Sequence, residues 1–306
     1  MAAGQSGRAL VLGGDSLVGS TLLAHYRRLG RPASGTSRRP GKGPDGAGLF
    51  LDLAAPDLPA LDGTPWQTAV VCAAITSMQA CEADPDLSWR VNVDGTLAVM
   101  RRLAEQGTAM VFVSSSQVFD GETPMPAEDA PTAPKNAYGR QKLAVEQAIA
   151  REGLPAAILR VSKVLADRPV GVFKGWSETL ARGQPVVAAS NMALSPIMVA
   201  DVAEAARRLA DGGLHGTWHL GASDQIGYDA AALLMAERLG LPPGLVRANQ
   251  VTEAEVPGMY RHRHVAMDCR KIEAALGMPI RSSRDILETL FAKFPDASGP
   301  SAEGRG

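Results

Sequence analysis

Arg8-Ala-Leu-Val-Leu-Gly-Gly-Asp-Ser-Leu-Val-Gly19 is the stretch that decides how this chain folds. Its first five residues, Arg8–Leu12, form an apolar run of strand length. A glycine-bearing turn follows, and then the amphipathic stretch Leu17–Leu29, whose apolar residues recur at helical spacing. Gly13 permits a tight turn and the close approach of another group to the backbone. The helix that opens near Leu17 offers free N–H groups and the positive end of its dipole. Gly19 lets helix and strand pack closely. The spacing is Gly-x-x-Ser-x-x-Gly, with Ser16 where a middle glycine is usual. Such a turn can be purely structural. Because it opens the first strand–helix unit, it reads here as a diphosphate cradle formed by Gly13, Ser16, Leu17, Val18 and Gly19.

Outward from this unit the same alternation continues. Strands are predicted over Pro32–Thr36, Gly48–Leu51, Thr68–Ala73, Ala109–Val113 and Ala156–Val161, and the longest helices over Leu87–Glu105 and Ala137–Arg151. Alternation of this kind predicts an α/β chain: a doubly wound parallel-sheet Rossmann fold with helices on both faces and ligands beyond the carboxyl ends of the strands. After Val161 the pattern is less regular. Helices are expected near Trp176–Arg182, Ala200–Ala210, Tyr228–Leu239, Arg270–Leu276 and Ser283–Phe291. The expected organisation is a dinucleotide-binding domain over 8–161, taking in parts of 190–220. A smaller, mainly C-terminal substrate lobe follows over 162–292, with flexible tails at 1–7 and 297–306. Asp120–Pro134, with four prolines, is a long loop of the kind that often carries function.

Composition narrows the classes. The chain has 306 residues, is 45% hydrophobic and carries a net charge of −1, with a pI near 6.5. No global field favours nucleic acid or an anionic membrane. Cys72, Cys81 and Cys269 are odd in number and include no CxxC pair, against a disulfide framework or a metal site. The start has no apolar signal region, and no apolar run approaches the ~18–20 residues that span a bilayer. A soluble cytoplasmic protein is expected.

Three further signals carry chemistry. Thr36-Ser37-Arg38-Arg39 closes the second strand with two guanidiniums where an acidic residue would bind ribose hydroxyls. Arg38 and Arg39 suit a 2′-phosphate, which favours NADP(H) over NAD(H), or else they form a solvated basic turn. Asp52, ending the third strand, could accept from an adenine amino group or cap a helix. Tyr138-Gly139-Arg140-Gln141-Lys142 opens a helix and puts phenol and ammonium on one face. A nearby Lys cation is expected to lower the phenol pKa from near 10. Ser114-Ser115-Ser116 ends the fifth strand, where a hydroxyl could hold a carbonyl oxygen while Tyr138 protonates it, or merely cap the strand.

In this order the residues resemble the extended short-chain dehydrogenase/reductase family, closest to its dTDP-4-dehydrorhamnose reductase-like, sugar-nucleotide-binding members. The likeness runs from Arg8 to about Leu290. Asp84–Thr96, Val113–Gly121, Asn136–Lys142, Ile158–Arg160, Pro196–Val202 and Met267–Glu273 carry it. The resemblance implies catalytic roles for Ser115, Tyr138 and Lys142. It also implies that Lys142 holds the nicotinamide ribose, that Ala73 and Ala74 lie along a ribose, and that Asn92 sits near the site. Such members usually have Thr-Asp where this chain has Ser115-Ser116, and an aromatic residue where it has Lys163. Ser116, Gln117, Lys163, Arg261 and Arg263 are therefore candidate substrate contacts. The cluster Arg261–His264 reads either as a diphosphate clamp or as a solvated loop.

Among the chemistries of this family, 4,6-dehydration needs an acid/base pair that Ser116-Gln117 does not supply. NADPH-dependent reduction of a 4-keto nucleotide sugar is favoured, with Tyr138 as proton donor. A 4-epimerase is the enzymatic alternative, and a non-catalytic NADP-binding regulatory subunit the alternative of another class. By the same resemblance a homodimer is expected, pairing through the long helices.

Overall fold

The computed structural model describes residues 7–39, 48–252, 254–255 and 262–294. The first half comprises β1 (Arg8–Leu12), α1 (Leu17–Arg28), β2 (Ala33–Ser37), β3 (Leu49–Phe50), β4 (Trp66–Val71), α2 (Met78–Ala83) and α3 (Pro85–Trp89). It continues with α4 (Thr96–Glu105), β5 (Ala109–Ser115), α5 (Ala137–Glu152) and β6 (Ala156–Val161). Then follow β7 (Lys163–Leu165), α6 (Gly171–Ala181), β8 (Val186–Ala189), β9 (Ala193–Leu194), β10 (Pro196–Met198), α7 (Val199–Asp211) and β11 (Gly216–Leu220). Last come β12 (Ile226–Gly227), α8 (Tyr228–Arg238), β13 (Val246–Asn249), α9 (Arg270–Leu276) and α10 (Ser283–Phe291).

Period-two alternation explains the three layers. Ala9 and Val11 of β1, with Val111 and Val113 of β5, face a core filled by Leu22, Leu23 and Tyr26 of α1 and Leu209 of α7. Leu10 and Leu12, with Met110 and Phe112, face the other way, onto Met100 and Leu103 of α4 and Val145 of α5. The sheet order is β11-β6-β5-β4-β1-β2-β3, with every neighbouring pair parallel. This is the doubly wound fold that the sequence predicts. The strand order reverses between β1 and β4, and the glycine turn lies at that reversal, where such sheets bind ligands. A third core, with Phe173 and Trp176 of α6, Met235 of α8 and Phe291 of α10, supports the later elements.

Two local features differ from the sequence reading. The single helix expected over Leu87–Glu105 is instead α3, a π-helical turn over Arg90–Gly95, and α4. Here the helix runs against the backbone of Leu53: a Cβ on Gly95 would lie 1.8 Å from the Leu53 carbonyl oxygen. α2 was not anticipated, although Ser77 caps it by accepting the Ala80 N–H. Among the described residues, no helix is long and apolar enough to cross a membrane.

Gly95→Ala should therefore overpack the contact with Leu53 and lower unfolding stability by about 3 kcal/mol. Urea denaturation of the two proteins would check this, and an unchanged midpoint would contradict it.

Candidate active site

The site forms where the end of β5 meets the start of α5. Ser114 and Ser115 point to opposite faces, as neighbours on a strand must. Ser114 Oγ donates to the buried Glu146 carboxylate. Ser115 lines a cavity, and its Oγ accepts the Gln117 N–H at 3.2 Å. Asn136 caps α5, its Oδ1 accepting the Gly139 N–H at 2.7 Å while its Nδ2 donates to Gln117 Oε1 at 2.7 Å. Gly139 allows this docking, because a Cβ there would stand 2.1 Å from the Gln117 carbonyl oxygen. Asn92, on the π-helical turn, supports α5 from behind by donating to Gln141 Oε1 at 2.7 Å.

Four-residue steps then place Tyr138, Lys142 and Glu146 along one side of α5. Lys142 is buried. Its Nζ donates to the Val113 carbonyl at 2.9 Å and lies over the rings of Phe112 and Tyr138, 4.6 and 5.7 Å from their centroids. Burial pushes the Lys142 pKa down to about 8, opposed by the thiol of Cys72 and the carboxylate of Glu146. The phenol moves the other way. Burial raises the Tyr138 pKa above its ordinary value, and only the hydrogen bond with Ser115 draws it down. The expected lowering by the Lys142 cation does not occur, and desolvation favours the neutral forms of both groups.

Beneath Lys142, Glu146 and Arg160 of β6 form an ion pair at 2.7 Å whose side chains are only 5–6% exposed. Arg160 also donates to the Glu128 carbonyl at 3.2 Å, meets His219 Nε2 at 3.3 Å and stacks over Phe119 at 5.1 Å. Burial first, and Arg160 second, bring the His219 pKa down to about 3, so the imidazole is neutral. This cluster fixes both sides of the β5–α5 junction and the loop around Glu128.

The cavity, of about 410 Å³, brings together Ser16, Leu17, Val18, Ser115, Ser116, Gln117, Tyr138, Lys142 and Lys163 from the sequence-predicted set. Gly13, at φ +83°, and Gly19 build the turn beneath it: a Cβ on Gly13 would meet Ala73 at 2.8 Å, and one on Gly19 would meet the Gly13 carbonyl at 2.0 Å. Ser16 caps α1 by accepting the Gly19 N–H. The first-turn N–H groups of Leu17 and Val18 have no hydrogen-bond acceptor among the described residues.

Other predicted residues lie outside the cavity. Arg38 and Arg39 are exposed at the end of β2, and Arg39 Nε lies 3.5 Å from Asp15 of the glycine turn. Asp52 heads no helix: its Oδ1 accepts the Ala54 N–H at 2.9 Å within its own turn. Ala73 packs under Gly13 and Ala74 lies beside it on the same partly buried segment, neither lining the cavity. Arg263 is exposed and also outside the cavity. Arg261 falls outside the described residues. The cluster's inward member is His262, which lines the cavity and packs on Gly121. The sequence reading left it in a basic loop, and also missed Tyr228, Ser162 and Cys72 in the lining. Glu146 and Arg160 were legible as charges placed among apolar helix and strand positions. Among the described residues, no group of three or more His, Cys, Asp or Glu could hold a metal ion.

Comparison with known proteins identifies the family and the fold. The family model described as RmlD substrate binding domain matches residues 7–295. The chain is 30% identical to dTDP-4-dehydrorhamnose reductase of Mycobacterium tuberculosis over 298 residues, covering 95% of this chain and 94% of that protein. It is also 30% identical to methionine adenosyltransferase 2 subunit beta of Pongo abelii over 222 residues, which cover 67% of this chain and 63% of that subunit. Among solved structures, dTDP-4-dehydrorhamnose reductase from Yersinia enterocolitica superposes with a TM-score of 0.81 at 19% identity, covering 94% of this chain and 99% of that one. The Bacillus anthracis reductase in complex with NADP gives 0.80 at 19% identity, covering 95% and 100%.

Glu146→Ala would leave the Arg160 guanidinium buried without its carboxylate and should lower stability by about 3–5 kcal/mol. Lys142→Met should act in the opposite sense. Because its folded pKa is depressed, Lys142 destabilises the fold fully below pH ~8, and the penalty fades as pH rises toward the unfolded value of 10.5. Denaturation at stepped pH should show the methionine variant more stable at pH 7, by about 1–3 kcal/mol, with the gap closing between pH 8 and 10.5. A constant gap would refute the assignment.

Proposed function

The chain belongs to the RmlD substrate binding domain family, and on that premise we propose that it is an NADPH-dependent reductase of a 4-keto nucleotide sugar. The observation that carries this reading is the convergence of Ser115, Tyr138 and Lys142 on one cavity beside the glycine turn. The residues fit a bound NADP(H). The turn needs glycine at 13 and 19, the first-turn N–H groups of Leu17 and Val18 have no acceptor among the described residues, and Arg39 reaches the same turn through Asp15, with the exposed Arg38 next to it in the chain. When bound, the nicotinamide supplies hydride. The chain's own residues do the rest. Tyr138, kept protonated by burial, donates its proton to the carbonyl oxygen, and Ser115 steadies that oxygen as charge develops. Lys142 holds the ribose and the orientation of the phenol. The relatives named as reductases, one of them described with NADP, support this reading.

A second reading is favoured by one observation, the likeness to a methionine adenosyltransferase subunit. In it the same cavity binds cofactor and the chain serves as a regulatory partner. A homodimer belongs to the first reading. Leu87 and Trp89 of α3 are exposed and would be covered by a second copy, and sedimentation at micromolar concentration would then give twice the chain mass.

Tyr138→Phe should lose at least a hundredfold in kcat with 4-keto nucleotide sugars while retaining NADPH binding. NADPH binding with no turnover in the wild-type protein would favour the regulatory reading. Arg38→Ala with Arg39→Ala should raise the KM for NADPH about tenfold and leave that for NADH nearly unchanged. Lys142 is cationic below about pH 8 and neutral above it, so kcat/KM should fall as pH rises through that value. A flat profile from pH 7 to 9.5 would count against its role.

A further inference from the structure

The second strand ends without an acid in the chain, yet the fold brings one there in space. Gly14 lies so close to β2 that a Cβ on it would stand 2.8 Å from the Gly35 Cα. The turn is tied to the strand at two more points. The Gly13 N–H donates to Thr36 Oγ1 at 3.1 Å, and the Gly14 N–H donates to the Thr36 carbonyl at 2.8 Å. The next residue of the turn is Asp15. Its Oδ2 accepts from the buried Ser37 Oγ at 3.1 Å, and that hydroxyl in turn accepts the Arg39 N–H at 3.0 Å. A carboxylate thus stands at the end of β2, where sheets of this kind place the acid that binds the hydroxyls of an adenosine ribose.

Arg39 covers that carboxylate. Its Nε lies 3.5 Å from Asp15 Oδ2, with the Arg39 side chain 65% exposed and that of Asp15 27%. A pair so open to water adds little to stability. Its consequence is local charge: with a guanidinium over it, the acid no longer confronts an anion arriving at the strand end. Arg38 is placed differently. It is exposed, and no carboxylate among the described residues pairs with it. Its forked guanidinium is left whole for a phosphate. Two arginines adjacent in the chain therefore have unequal surroundings.

Resting on the reading of the glycine turn as an NADP(H) cradle, we propose that Asp15 and Arg39 are a specificity-determining pair. Arg39 masks an acid that repels a 2′-phosphate, and Arg38 is the residue that takes the phosphate. Calorimetric titration with NADPH and with NADH tests this on the wild-type protein, Arg39→Ala, Arg38→Ala and the double variant Asp15→Asn with Arg39→Ala. Arg39→Ala should weaken NADPH binding about tenfold, because the bared carboxylate faces the phosphate. NADH should bind that variant at least as tightly as wild type, because the same carboxylate accepts a 2′-hydroxyl. Adding Asp15→Asn should restore NADPH to within about threefold of wild type, a recovery that only coupled residues show. Arg38→Ala should by itself weaken NADPH about tenfold and leave NADH unchanged. NADPH binding that stays weak in the double variant would overturn the proposal, since Arg39 would then touch the phosphate itself. Equal loss of NADPH and NADH in Arg39→Ala would also overturn it, by making the arginine a brace of the turn. Retained NADH binding shows that each variant is folded. If the wild-type protein binds neither dinucleotide, the cofactor reading fails and the proposal with it.

Discussion

α5 can reach the end of β5 only because residue 139 has no side chain. The Gly139 backbone lies against the Gln117 carbonyl, and Asn136 ties the same two segments with one hydrogen bond to each. Every catalytic candidate hangs from this contact. Tyr138 precedes the glycine, Lys142 follows one turn later, and Ser115 sits two residues before Gln117. A helix displaced by the width of one methyl group would separate phenol from hydroxyl, and small misplacements of reacting groups are costly to rate.

Charge is managed in layers around that contact. A lone buried ammonium would be expensive, yet Lys142 has a carbonyl acceptor, two aromatic faces and the Glu146 carboxylate one turn away. Glu146 is in turn neutralised by Arg160, which the Glu128 carbonyl and His219 help to hold. The network gives Lys142 enough support to stay in place without enough to restore its ordinary pKa. A group tuned in this way gives up stability to stay responsive to what binds beside it.

Much of the fold could be read from the chain because its signals are local. The apolar run of β1, the glycine turn and the spacing of α1 each follow from short-range rules, and the strand series follows from alternation. The Tyr138–Lys142 step and the Ser114–Ser116 strand end were legible for the same reason. What escaped depends on contacts distant in sequence. The π-helical turn before α4 follows from Leu53, some forty residues earlier, pressing on Gly95. His262 enters the cavity because Gly121, far away in the chain, leaves room for it. Asp52 shows a third case: one residue compatible with two roles, whose hydrogen bond in the fold goes to its own turn. The opposite pKa shifts of Tyr138 and Lys142 could not be read either, since desolvation is a property of the assembled cavity and not of a motif.

Those opposite shifts have a common consequence. Removing water favours the neutral phenol and the neutral amine alike, so burial narrows the pH range over which Lys142 is charged. An anion entering beside Lys142 raises its pKa again, because an opposite charge at close range favours the cationic form. Under the proposed reading, cofactor binding therefore does more than fill the cradle of the glycine turn. It widens the pH range over which Lys142, already an ammonium at neutral pH, stays charged one turn from Tyr138.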